Sequence, residues 1–204
     1  MDRIEDQTRE KILLSALALF SERGIAKTSL NEVAYRAGVT RVTVYRHFAE
    51  KKELVREVFL RVEQVFVKGL ADLKQNPQAD WEEVLGQIGE GLSSLPPGDA
   101  VARMEELKRL YPDVYGALQK VRLATLNDLF EQLSIRAKRQ KLMRPGLNRQ
   151  MVQAIFWELV INFFDNPRFK SLGLTDVELF HAVTDIILYG ILKGRPTRTR
   201  KGDR

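Results

Sequence analysis

Residues 28–54 read TSLNEVAYRAGVTRVTVYRHFAEKKEL, and their spacing predicts two short helices, a tight turn between them and the start of a third helix. Ser29, with Glu32 three places on, forms the S-x-x-E pattern in which each side chain satisfies the other's orphan backbone amide, so a helix begins there. Leu30, Val33, Ala34 and Ala37 then recur at helical spacing, and the two small alanines let a second helix approach closely. Gly38 is placed to end the helix in the left-handed conformation, with Val39 as an apolar plug in the turn. Thr40 caps a second helix whose inward positions are Val44 and Phe48. Arg41, Val42, Thr43, Tyr45, Arg46 and His47 are left facing outward. They combine a guanidinium for guanine edges, a methyl-bearing surface for thymine, and hydroxyl, phenol and imidazole groups for phosphate oxygens. Similar helix pairs occur in proteins that bind nothing. Lys51 and Lys52 favour nucleic acid, because they open the next helix where its dipole disfavours cations by about 0.3–1 kcal/mol each, and a DNA phosphate would offset that cost.

The pattern of Thr28-Ser29, Val33-Ala34, Ala37-Gly38-Val39-Thr40, Tyr45-Arg46-His47-Phe48 and Lys51 resembles the DNA-binding domain of TetR-family (tetracycline-repressor-like) transcription regulators. The resemblance is specific over roughly Arg9 to Leu54 and architectural beyond. It implies an N-terminal helix-turn-helix domain, a larger helical ligand-binding domain, homodimerisation through the last two helices, and release from double-stranded DNA when a small-molecule effector binds. Carried over residue by residue, Arg41, Val42 and Arg46 face bases, Thr28, Thr43, Tyr45, His47 and Lys51 hold phosphates, and Ser29 and Thr40 sit at the capped helix starts beside them. Many members have glycine at the position of Val42. That leaves two roles open, packing on a thymine methyl or altering how closely the helix approaches.

Outward from this segment the chain is helical throughout. Apolar residues recur at helical spacing with no sustained strand-type alternation, so an all-α fold of about nine helices is expected. One helix runs from about Thr8 to Arg23. A long fourth helix from about Glu50 to Lys74 spans over 30 Å at 1.5 Å per residue, enough to join two compartments. Breaks at Asn76-Pro77, Pro96-Pro97-Gly98, Pro145-Gly146 and Asn166-Pro167 bound the later helices, and Thr175 with Glu178 repeats the capping box before the last. The division expected is a helix-turn-helix domain over 1–54, an effector-binding and dimerisation domain over 55–192, and a basic, disordered tail over 193–204.

The formal charge of +6 resolves into +2, −1 and +5 for those three segments, so most of the excess lies in the tail and says little about DNA binding. With no cysteine, disulfides and thiolate metal sites are excluded. No apolar run long enough to span a membrane is present and residues 1–9 lack a signal peptide's apolar core, so a cytoplasmic protein without a membrane partner is expected.

The last two helices have more apolar surface than one packed face requires. Helices apolar on several sides are either central to a core or paired across a subunit interface, and the resemblance implies the second, with Phe156, Val160, Phe163, Phe180, Ile187 and Ile191 at a dimer interface. An effector pocket is expected between the fourth helix and those after Pro97, lined by Met104, Tyr111, Tyr115, Phe130 and Trp157, with Met143 and Met151 nearby. Arg103, Arg109 and Arg122 are candidates either for an acidic ligand or for ordinary surface. Glu178 and His181 form a single E-x-x-H pair, whereas a di-iron bundle needs two, so no metal or other cofactor is expected. With two isolated histidines, no glycine-rich phosphate loop and no paired carboxylates beside a base, an enzyme is disfavoured. Two binding classes remain: a ligand-responsive repressor on an inverted-repeat operator, and a constitutive or architectural DNA binder without an effector.

Overall fold

The computed structural model describes residues 2–75, 81–93, 96, 100–139, 146–161, 168 and 171–191. Among them are nine helices: α1 Asp2–Arg23, α2 Leu30–Ala37, α3 Arg41–His47, α4 Lys51–Gln75, α5 Trp81–Ser93, α6 Ala100–Leu110, α7 Pro112–Arg139, α8 Arg149–Ile161 and α9 Asp176–Ile191. The tail, Phe163 and Met143 lie outside the described residues, as do the side chains of Val160, Ile187 and Ile191.

α1 starts at Asp2, six residues before the position read from the sequence. Glu5 and Asp6 put negative charge near its start, where the dipole favours anions, and the Thr8 hydroxyl donates to the Ile4 carbonyl at 2.9 Å. Only Tyr111 separates α6 from α7, which begins on Pro112, the position where a missing N–H costs nothing.

Two apolar clusters form among the described residues. The first joins Ile12, Phe20 and Ile25 with Val33, Val44 and Phe48 of the small helices, and continues through Leu54, Val55, Val58 and Phe59 to Met104, Leu107, Val114 and Leu118. Packing thus runs across residue 54 without a break, and the head formed by α1–α3 shares its core with α4, α6 and α7. The second cluster gathers Leu126, Phe130, Val152, Phe156, Leu179 and Val183 from α7, α8 and α9, with the Phe130 and Phe156 ring centroids 5.4 Å apart.

A polar pair marks the passage from one cluster to the other along α7. Arg122, between Leu118 and Leu126, is buried and donates from Nε and Nη2 to Oε1 of buried Glu63 on α4, at 3.0 and 2.6 Å. Removing either partner would strand a buried charge.

Candidate nucleic-acid interface

The reading segment is built by local chemistry. The Ser29 hydroxyl accepts the Glu32 N–H at 3.3 Å while Glu32 Oε2 accepts the Ser29 N–H at 2.8 Å, so both halves of the capping box form. The Ser29 N–H bond is the main reason the Glu32 carboxyl is held below its usual range. At the other end Gly38 stands at φ 67°, its N–H donating to the Tyr35 carbonyl and the Val39 N–H to the Ala34 carbonyl, at 3.2 and 3.0 Å. Thr40 Oγ1 accepts the Thr43 N–H at 3.1 Å, and α3 begins three residues after the glycine. Val44 and Phe48 are fully buried, as their spacing required.

The opposite face of α3 is open. Val42 is 78% exposed, and Arg41, Tyr45 and Arg46 are also exposed. The Arg41 guanidinium lies 5.2 Å from the Tyr45 ring centroid and donates to the phenol oxygen at 3.3 Å, so it is held against the helix surface instead of waving in solvent. Thr43 is half-buried, its hydroxyl 2.8 Å from that of Thr40. His47 is half-buried, with Nε2 enclosed and lacking a hydrogen-bond partner among the described residues.

Two readings of this segment need correction. Thr28 is only 2% exposed, and its hydroxyl donates inward to the Gly24 carbonyl at 2.8 Å, so it closes the turn before α2 and its side chain does not face a phosphate. The two lysines do not wait for an external anion. Lys51 Nζ donates to the Ile25 carbonyl at 2.6 Å, and although burial lowers its pKa, Glu106 and Glu32 support its charge. Lys52 pairs with Asp113 at 2.8 Å, a bond that raises the lysine's pKa and lowers that of the aspartate. The dipole cost at the start of α4 is offset within the chain. One hydrogen bond still leaves the Lys51 ammonium two further donors.

The five residues assigned to an effector pocket divide between the clusters. Met104, Tyr111 and Tyr115 pack with the first, beneath the head, and Phe130 and Trp157 with the second. Of the three arginines, Arg122 is bound to Glu63, Arg103 reaches the end of α1, and Arg109 is exposed. Glu178 is engaged by Thr175, and His181 stands beside Gly89, where a Cβ would come within 3.1 Å of its ring. No group of three or more metal-binding side chains occurs among the described residues. No described helix is long and apolar enough to cross a membrane. Phe156 is buried in the second cluster and Phe180 packs against it, while Met151, Ile155 and Ile186 on the same two helices are exposed. Sequence reasoning passed over Tyr35, 90% exposed on α2. Its place between buried Ala34 and the turn was the available signal.

Residues 12–58 match the bacterial regulatory proteins of the tetR family, from α1 through the reading helix into α4. The likeness to that family is therefore carried by α1–α3 and the start of α4. The HTH-type transcriptional regulator AcrR of Shigella flexneri is 49% identical over 53 residues, which are 26% of this chain and 25% of that protein. The HTH-type transcriptional repressor BepR of Brucella suis is 44% identical over 55 residues, 27% of this chain and 26% of that one. The match thus spans about a quarter of the length of these curated relatives. The whole fold is shared more widely. The structure of FadR from Bacillus subtilis in complex with stearoyl-CoA superposes with a TM-score of 0.62 at 20% identity, covering 89% of this chain and 98% of that one. Within the matched stretch, α2, the turn at Gly38 and α3 have the arrangement of a helix-turn-helix, with α3 as its second helix.

Proposed function

We propose that the chain is a homodimeric transcriptional repressor that binds an inverted-repeat operator and is released by a small, largely apolar effector. The observation that carries this reading is the open face of α3, where Val42 stands 78% exposed among Arg41, Tyr45 and Arg46 on a helix otherwise anchored by buried Val44 and Phe48. A valine between guanidinium groups suits a groove that offers thymine methyls and guanine edges. Arg41, Val42 and Arg46 are the base-facing set. Thr43, Tyr45, His47 and Lys51 are the phosphate-facing set, with the capping residues Ser29 and Thr40 between them.

Dimerisation is supported by Met151, Ile155 and Ile186, apolar side chains that one chain leaves uncovered on α8 and α9. A two-fold dimer requires half-sites about one or more helical turns apart, each turn about 34–36 Å. Apolar effectors are supported by the aromatic second cluster and by the stearoyl-CoA bound to the FadR of like fold.

The test is selection of bound duplexes from a random pool, repeated with a metabolite library present. An inverted repeat that is enriched alone and lost with a particular apolar compound is the expected result. Enrichment of no sequence would remove the operator, and an enriched repeat indifferent to every compound would leave a constitutive binder.

A further inference from the structure

α6 takes hold of the head at a single turn. Glu106 Oε2 accepts the Ile25 N–H and Oε1 accepts the Ala26 N–H, both at 2.7 Å. Three residues earlier on α6, Arg103 Nη1 donates to the Ser21 carbonyl at 2.8 Å, at the end of α1 where carbonyls lack helical partners and the dipole favours a cation. The anion therefore meets amides and the cation meets carbonyls. Gly24, between the two contacts, stands at φ 88°, and a Cβ there would come 2.9 Å from Glu106 Oε2. The turn is shaped to receive the carboxylate.

Ile25 is also gripped from its other side. Lys51 of α4 donates to its carbonyl at 2.6 Å, and its side chain is fully buried. Charged groups from two helices thus converge on the turn that leads through Thr28 and Ser29 directly into α2.

We propose that Glu106 and Arg103 are positioning residues for sequence reading: they fix the angle at which α1–α3 leaves α6, and so hold α3 in register with an operator. This rests on the operator-binding reading above. Base-edge hydrogen bonds need correct register in both half-sites at once, whereas phosphate attraction tolerates a head that swivels. Loss of the clamp therefore lowers discrimination between sequences and leaves general DNA affinity in place.

The experiment uses the full chain and two duplexes, one that wild-type protein itself selects from a random pool and a scrambled duplex of the same base composition. Dissociation constants are compared for wild type, Glu106→Ala, Glu106→Gln and Arg103→Gln, together with amide hydrogen exchange at Ile25 and Ala26 and the thermal midpoint. Glu106→Ala is expected to speed exchange at both amides and to weaken the selected duplex about tenfold, the scale of one mismatched base pair. Its affinity for the scrambled duplex is expected to stay within about twofold of wild type, since no phosphate-facing side chain is removed and Glu32 still supports the charge of Lys51. Glu106→Gln, which keeps one acceptor, falls between. A wild-type ratio of the two constants despite faster exchange would overturn the proposal, and so would equal weakening on both duplexes. Should Glu106→Ala fail to fold, Glu106→Gln and Arg103→Gln carry the same comparison. A wild-type protein that selects no sequence removes the operator reading and this proposal with it, a failure distinct from an unchanged ratio in the variants.

Discussion

Ser29 and Glu32 tie the entry of α2 with three mutual hydrogen bonds, and the consequence is measurable as stability. Ser29→Ala should cost about 1 kcal/mol by leaving a first-turn amide unsatisfied, read as a lower midpoint in denaturant at unchanged slope. The same site gives a pH dependence. Because the folded Glu32 carboxyl binds its proton less readily than the unfolded one, its stabilising contribution is complete above the ordinary value of 4.5 and fades as the pH falls through the lower folded value. Between pH 6 and pH 3, wild type should lose more thermal stability than Glu32→Gln. An equal loss would show that the capping box does not titrate. Arg41→Ala should weaken the selected operator by about 1–3 kcal/mol and relax preference at one base pair per half-site. Uniform weakening on every sequence would make Arg41 a phosphate contact instead. At this scale the caps were legible because their partners lie three residues apart, and the outward face of α3 because Val44 and Phe48 fix what faces in. Glu106 was not legible: it bonds Ile25 across 81 residues, and no periodicity connects them.

Helix boundaries follow breakers and caps, so α2, α3, α4 and α9 fall within a residue or so of their sequence reading, while α1 begins earlier than its apolar spacing indicates because its first turns carry few apolar residues. What helices conceal is how closely they pack. Gly69 of α4 and Gly91 of α5 sit where a Cβ would come 2.6 Å from Ile88 Cγ1 and Val65 Cγ1 respectively, so each permits a close crossing of the two helices. Gly86 and Gly116 have open space around the same position. Thermal unfolding should therefore separate the four. Gly86→Ala and Gly116→Ala should stabilise by about 0.5–1 kcal/mol, because alanine loses less entropy in a helix. Gly69→Ala and Gly91→Ala should destabilise by about 1–3 kcal/mol through overpacking. The Glu63–Arg122 pair is similarly hidden, since both residues occupy positions that a solvated face would also accept. Its removal on one side, as in Glu63→Ala, should cost about 3–5 kcal/mol.

Across the whole molecule, exposed apolar side chains on α8 and α9 set the expectation for assembly. Ile155 and Ile186 are 50% and 62% exposed, so replacing both with glutamate should leave helicity intact and produce a monomer in sedimentation. A wild-type protein already monomeric at micromolar concentration would end the dimer proposal. The placement of Met104, Tyr111 and Tyr115 apart from Phe130 and Trp157 was beyond the sequence, because aromatic content announces apolar interior without saying which interior.

The shared core beneath the head bears on modularity. Likeness to AcrR is carried by some fifty residues, which invites the idea of an interchangeable cassette. Yet those residues rest on Met104 and Leu107 and are pinned by Glu106, all three on a helix outside the matched stretch. Chimaeras that exchange only the first 58 residues between relatives should consequently express poorly or lose sequence preference, and co-transplanting α6 should restore them. Recombination within such a lineage would thus move a discontinuous unit, two pieces of chain separated by more than forty residues but inherited as one.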